Sequence, residues 1–243
     1  MSLFGLNRTG TIMLVFFIQS SAQGAWFPRV ADIQLQLGLS EAELALALVA
    51  MPIGALLTFP FAAPIVERFG TKLTLMVSLP LFSLSMALGT LSTDALTLFL
   101  PGLFTGIGHG ITQIAMNVEA DRVEAATGRR VMNRCHAMWS LGILSASLLG
   151  TLVRGVGIAP APHLFAMVPF TILAIVLVAG HMDAAPPRPH AGPQVRKFWA
   201  MPTVPIFLLI SFTVAAVLIE GAAYTWSVIY LRDTFDIPVW MET

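Results

Sequence analysis

Seven stretches of this chain are apolar enough, over enough residues, to cross a lipid bilayer, and nothing else in the sequence constrains the fold as tightly. A spanning helix needs about 20 predominantly apolar residues. Runs of that kind fall near 10–28, 42–66, 72–92, 95–118, 134–154, 161–180 and 203–231. Between them stand helix breakers or charges: Pro28 and Gly38, Gly70, Ser92 to Asp94, Asp121 to Arg130, Gly155 to Pro162, and the segment DAAPPRPHAGPQVRK. Bulk chemistry agrees, since 56% of the 243 residues are hydrophobic and 11% charged, against about a quarter charged in a soluble domain. The expected fold class is an all-α membrane protein whose first partner is the lipid bilayer.

Local signals refine the ends of these runs. Ser40 followed by Glu43 has the spacing of a capping box and marks the start of the second span, which leaves the short polar segment before it as a connector. Arg8, a short apolar core and the small residues of SAQGA also have the outline of a signal peptide. Gln19, Gln23 and Trp26 nevertheless recur on one helical face, and the run continues to Pro28, so the first stretch is read as a span.

Charge is informative by position. Thirteen basic residues balance thirteen acidic ones, and no basic tract suggests a nucleic-acid partner. Loops on the cytoplasmic side retain lysine and arginine. With the N-terminus inside, Arg8, Arg68, Lys72, Arg122, Arg129, Arg130, Arg134, Arg188, Arg196 and Lys197 are cytoplasmic and only Arg29, Arg154 and Arg232 external. The expected location is the inner (plasma) membrane, multi-pass, with the N-terminus in the cytoplasm. Cys135 stands alone, without a C-x-x-C pair or a His/Cys cluster, so no disulfide, metal or redox site is expected. GIGHG (106–110) has Ile111 where a third glycine of a phosphate loop would stand, and no strand precedes it. With no nucleophile pair and no cofactor loop, the chain is not expected to be an enzyme.

Polar residues inside a span usually face a cavity or the bundle interior. Gln19, Gln23 and Trp26 in the first span, Thr105, His109, Gln113 and Asn117 in the fourth, His136, Trp139 and Ser140 in the fifth, and Glu220, Tyr224 and Ser227 in the seventh recur at helical spacing, one stripe per helix. The second, third and sixth spans hold only scattered Ser and Thr and read as scaffold or lipid-facing. Gln23, His109, Gln113, Asn117, Glu220 and Tyr224 are the candidates for binding or coupling. Trp139 and Trp226 could stack on a sugar-like ring or serve as interface anchors. Gly102, Gly106 and Gly110 form a small-residue series suited to close helix packing, about 100° around from the Thr105–His109–Gln113 stripe.

The turn between the second and third spans reads A-P-I-V-E-R-F-G-T-K, from Ala63 to Lys72. It resembles the G-x-x-x-D-R-x-G-R-R signature of major facilitator superfamily transporters. Glu67 takes the acidic place, Arg68, Gly70 and Lys72 match, and Ala63 and Thr71 depart. The stretches SSAQGAWFPRVADIQLQLGLSEAELALALVAMPIG, IAMNVEADRVEAATGRRVMNRCHAMWSLG and EGAAYTWSVIYLRD are similar to the YbjJ-like branch, related to the fucose permeases. The resemblance implies a six-helix N-terminal domain of two inverted three-helix repeats over 1–180, a cytoplasmic linker over 181–202, and the first helix of an incomplete second domain over 203–243. It implies transport of a small polar solute, a sugar-like one being the named candidate, by alternating access around a midplane site. Glu67, Arg68, Gly70 and Lys72 become the gating turn, with Glu67 meeting a helix end in the other half. Gln23 and Gln113 fall where fucose permeases carry acidic residues, and glutamine carries no titratable proton, which leaves His109 or Glu220 to couple protons, or leaves transport uncoupled. A complementary C-terminal half, or another copy of the chain, is the expected partner. The competing reading is a non-transporting assembly protein or an inactive remnant.

Overall fold

A computed structural model of the chain describes residues 7–182, 201–235, 237, 238 and 241. Those residues form helices and turns, with no strand among them. Helix α1 (Arg8–Gly24) is capped by Asn7, whose side chain accepts from Gly10 N at 2.9 Å. A 3-10 turn at Phe27–Arg29 then leads into α2 (Val30–Leu37). The short segment before Ser40, expected to be a connector, therefore contains a helix. It is helical because Val30, Ala31 and Ile33 bury one face while Gly38, at φ 62°, ends the helix in the left-handed region.

Ser40 caps α3 (Glu41–Leu48) in the expected box, its hydroxyl accepting from Glu43 N while Glu43 accepts from Ser40 N. Helix α4 (Ala50–Gly89) contains both the second and third spans, and Gly70 breaks it with φ 76° and ψ 159°. The chain doubles back there. Gly106 lies against Met51 and Gly108 against Phe82, although residues 51 and 82 would stand about 46 Å apart in a straight helix. Helices α5 (Ala95–Thr127), α6 (Met132–Gly155), α7 (Pro160–Gly180) and α8 (Val204–Thr234) complete the bundle. Asp94 opens α5, and the Thr97 backbone N–H holds its carboxyl below the usual aspartate range.

Five helical stretches are long and apolar enough to cross a membrane: Glu41–Gly89, which turns at Gly70, then Ala95–Thr127, Met132–Gly155, Pro160–Gly180 and Val204–Thr234. Helix α1, of 17 residues, precedes them and packs on α6. Two tight parallel crossings organise them. Gly24 and Gly142 bring α1 onto α6, and Gly54 and Gly106 bring the first half of α4 onto α5, each glycine sitting where a Cβ would meet the opposite backbone or side chain. The second crossing is the packing face predicted from Gly102, Gly106 and Gly110. The first span thus packs on the fifth and the second on the fourth.

The turn at Gly70 is held by its neighbours. Lys72 Nζ donates to the Gly180 carbonyl, satisfying the C-terminal end of α7, and Thr71 donates to the buried Glu119 at 2.6 Å. Glu67 and Arg68 are exposed, with Arg68 over the Phe69 ring. At the opposite end of the bundle, Asp32 lies 2.7 Å from Arg154 and 3.4 Å from the buried Arg29, and Arg29 also donates to the Ile158 carbonyl. Most of the linker expected over 181–202, and with it Arg188, Arg196 and Lys197, lies outside the described residues.

Candidate functional site

The site forms where α1, α5 and α6 meet. Gln19 and Gln23 are one turn apart on α1, so both face the same way. Gln19 is fully buried. Its Oε1 accepts from Trp139 Nε1 of α6 at 2.9 Å. Its Nε2 lies 3.1 Å from Gln23 Oε1 and 3.4 Å from His109 Nδ1 of α5. Indole N–H is a donor only, so the orientation of the Gln19 amide follows from that bond rather than from choice. The His109 ring is backed by Phe82 of α4, with centroids 5.4 Å apart.

Beside this network lies a cavity of about 500 Å³, within the range that small-molecule sites occupy. Gln23, Trp26 and Phe27 line one side, and Ala47, Leu48, Met51, Pro52 and Ala55 another. Ser85, Met86 and Gly89 come from the second half of α4, Leu98, Pro101, Gly102, Thr105 and His109 from α5, and Val217, Gly221 and Thr225 from α8. Hydrogen bonds spend part of the polar lining internally, as Thr105 donates to the Pro101 carbonyl at 2.9 Å.

Gln23 and His109, predicted as binding residues, stand together at the cavity. Gln113 and Asn117 continue the α5 stripe below it, half-buried, with Asn117 donating to the Gln113 carbonyl at 2.8 Å. Glu220 is on an exposed face of α8, accepting from Tyr224 at 3.1 Å, and Tyr224 stacks on Phe27 at 4.9 Å. Sequence reasoning did not anticipate three polar features. Trp139 acts through its indole N–H rather than through its ring face. Glu119 is 1% exposed, and it escaped notice because the predicted fourth span stops at 118. Glu124 accepts from Val131 N and Met132 N at 2.7 and 3.1 Å and so closes the α5–α6 turn; an acidic residue eight positions before a helix start was the available signal.

A bundle of long apolar helices enclosing a buried hydrogen-bonded network and a cavity defines a multi-pass, all-helical membrane protein. A profile of the Major Facilitator Superfamily matches residues 11–243, and the chain belongs to that superfamily. It is 27% identical over 230 residues to an uncharacterised MFS-type transporter of Yersinia pestis, covering 93% of this chain and 58% of that protein. It is 29% identical over 221 residues to an uncharacterised transporter of Sinorhizobium fredii, covering 90% and 57%. Membrane protein MosC of Rhizobium meliloti is 26% identical over 218 residues, covering 89% and 52%. The chain thus spans little more than half the length of these relatives. No solved structure matches it.

Proposed function

We propose that this chain forms the N-terminal half, with one helix of the second half, of a transporter that moves a small solute across the inner membrane by alternating access. The cavity beside Gln19, Gln23 and His109 is the observation that carries the reading, because it places neutral hydrogen-bonding groups in an otherwise apolar bundle of a transporter family. Gln23 and His109 contact the solute, and Gln113, Asn117, Glu220 and Tyr224 lie on the path or on the face toward a second half. The turn Glu67–Arg68–Gly70–Lys72 serves as the gate on the cytoplasmic side. Support for that orientation comes from the basic residues: Arg8, Arg68, Lys72, Arg122, Arg129, Arg130 and Arg134 belong to the end of the bundle that holds the Gly70 turn, and Arg29, Arg154 and Arg232 to the other. Its proposed position within the superfamily is the branch resembling YbjJ and the fucose permeases, with the stretches already quoted as support.

Transport is tested by uptake into proteoliposomes with the oligomeric state measured in parallel. The chain alone, as a monomer, is expected to give no saturable uptake, and addition of the C-terminal half of one of the relatives is expected to restore it. Saturable uptake by a demonstrated monomer would refute the half-transporter reading, and no uptake in either arrangement would favour an assembly protein. Orientation is tested at Arg68→Cys, because native Cys135 is fully buried and gives little background. Labelling of that position by an impermeant reagent from outside the cell would reverse the assignment.

A further inference from the structure

The hydrogen-bond register of the network fixes what the cavity offers a ligand. Trp139 is donor-only, so Gln19 must turn its oxygen toward the indole and its NH₂ toward Gln23 and His109. Gln23 then receives with its oxygen, and its own NH₂ is left as the group it can present. His109 receives at Nδ1, so the neutral imidazole carries its hydrogen on Nε2, again a donor. Both residues line the cavity. The Thr105 hydroxyl hydrogen is committed to the Pro101 carbonyl. The part of the polar lining formed by Gln23 and His109 therefore presents N–H donors, and the hydroxyls of Ser85 and Thr225 complete the polar lining.

Charge and polarity of the remaining wall narrow the ligand further. Among the described residues no Asp, Glu, Lys or Arg lines the cavity, and Trp26, Phe27, Met51, Met86, Leu98 and Val217 make most of it apolar. An ionic ligand would leave its hydration shell without meeting a counter-charge. A hexose would bring several hydroxyls to a wall that is mostly apolar, and each polar group left without a partner would weaken its binding. From these observations we infer that the cavity takes an uncharged molecule with an apolar body and one hydrogen-bond-accepting head, such as a carbonyl, which the N–H groups of Gln23 and His109 receive. The inference rests on the transport reading for its purpose, and it narrows the solute away from the polar, sugar-like candidate that the family resemblance suggested.

Benzophenone is a probe of this class: a neutral carbonyl on an apolar body, which on irradiation inserts into neighbouring C–H bonds and so reports its own location. With the purified chain in lipid nanodiscs, labelling at Met51 and Met86 should saturate with probe concentration, while labelling of bilayer-facing positions such as Phe170 and Leu173 should rise without saturation. Diphenylmethane, which has the same body and no acceptor, should compete about tenfold less well than 4-methylbenzophenone in equilibrium binding of radiolabelled benzophenone measured without irradiation, the ratio expected for one lost hydrogen bond of about 1.4 kcal/mol. Glucose in large excess should not compete, and the anionic 4-benzoylbenzoate should not give saturable labelling of the two methionines. Gln23→Leu should lower saturable labelling about tenfold. As a check independent of that variant, ¹⁵N spectroscopy of the unmodified chain should show His109 Nδ1 bare and Nε2 protonated, with Nε2 shifting when benzophenone is added. Displacement by glucose, equal competition by diphenylmethane, saturable labelling by the anion, or absence of saturable labelling would each overturn the inference. Failure here leaves the transport reading to its own assay: sugar uptake would sink the ligand class and keep the transporter, whereas cavity labelling without any uptake would do the reverse.

Discussion

Trp139→Phe removes the one N–H that sets the direction of the Gln19 amide, while leaving a ring in its place. Gln19 is fully buried and accepts that bond at 2.9 Å. An acceptor stranded in a buried site costs about 1–3 kcal/mol, and hydrogen bonds between helices in membranes average about 0.6 kcal/mol. A destabilisation of about 1 kcal/mol is therefore expected from the bond, with ring truncation adding a packing loss of its own. The two are separated by a double-mutant cycle with Gln19→Leu, because Trp139→Phe in that background has no bond to lose. Reversible unfolding in bicelles should give a coupling of about 1 kcal/mol, well above the ~0.3–0.5 kcal/mol within which independent sites add. A second readout follows the tautomer. Once freed, Gln19 can turn its oxygen toward His109, so the ¹⁵N signals of His109 should move toward a mixture of Nδ1–H and Nε2–H forms. Additive stabilities together with an unchanged His109 spectrum would refute the reasoning.

Three further outcomes are expected. Gly106→Ala should cost about 2 kcal/mol or more in the same unfolding assay, since its Cβ would fall on the Met51 carbonyl, whereas Gly221→Ala, with nothing within 4 Å, should be neutral or stabilise by up to about 1 kcal/mol. Gly70→Ala should cost about 1–3 kcal/mol, because φ 76° with ψ 159° belongs to a region that only glycine enters freely; an unchanged stability would mean that the turn adopts another conformation. Arg232→Gln should loosen the C-terminal end of α8, where Arg232 donates to the Ala31 carbonyl at 3.2 Å and to Gln34 at 3.0 Å, and hydrogen exchange in α8 should rise at least several-fold while that in α5 stays constant.

The membrane architecture was legible because its signal is crude and repeated: twenty apolar residues punctuated by charge. The Gly70 reversal and the Gly102–Gly106–Gly110 face were legible for a sharper reason, since glycine at those spacings has a steric use that other residues lack. Helix α2 was not, because eight residues with Gln34 and Gln36 among them carry no periodicity that outweighs Pro28 and Gly38 on either side. The pairing of Gln19 with Trp139 was out of reach of any local pattern. The two residues are 120 positions apart, and helical stripes say which face a residue occupies without saying which neighbour it meets. Glu119 failed for a related reason: burial of a carboxylate near a helix end depends on Thr71, a residue that enters from another pass.

The neutrality of the network also decides what a proton could do in it. Among the groups in direct contact, only His109 can take up a proton on a ring nitrogen, and its Nδ1 faces the Gln19 NH₂. An imidazolium donates from both nitrogens, so a protonated His109 would set donor against donor. Gln19 could relieve that clash only by turning its amide, and turning it would set NH₂ against the Trp139 N–H. Protonation of His109 and the intact Trp139–Gln19–His109 register are thus mutually exclusive. The other coupling candidate is tied to the same cavity by contact rather than by charge: Glu220 accepts from Tyr224, Tyr224 stacks on Phe27, and Phe27 forms part of the wall. A change at either group therefore reaches the cavity through one named contact, His109 through the donors of its polar lining and Glu220 through the position of an apolar wall.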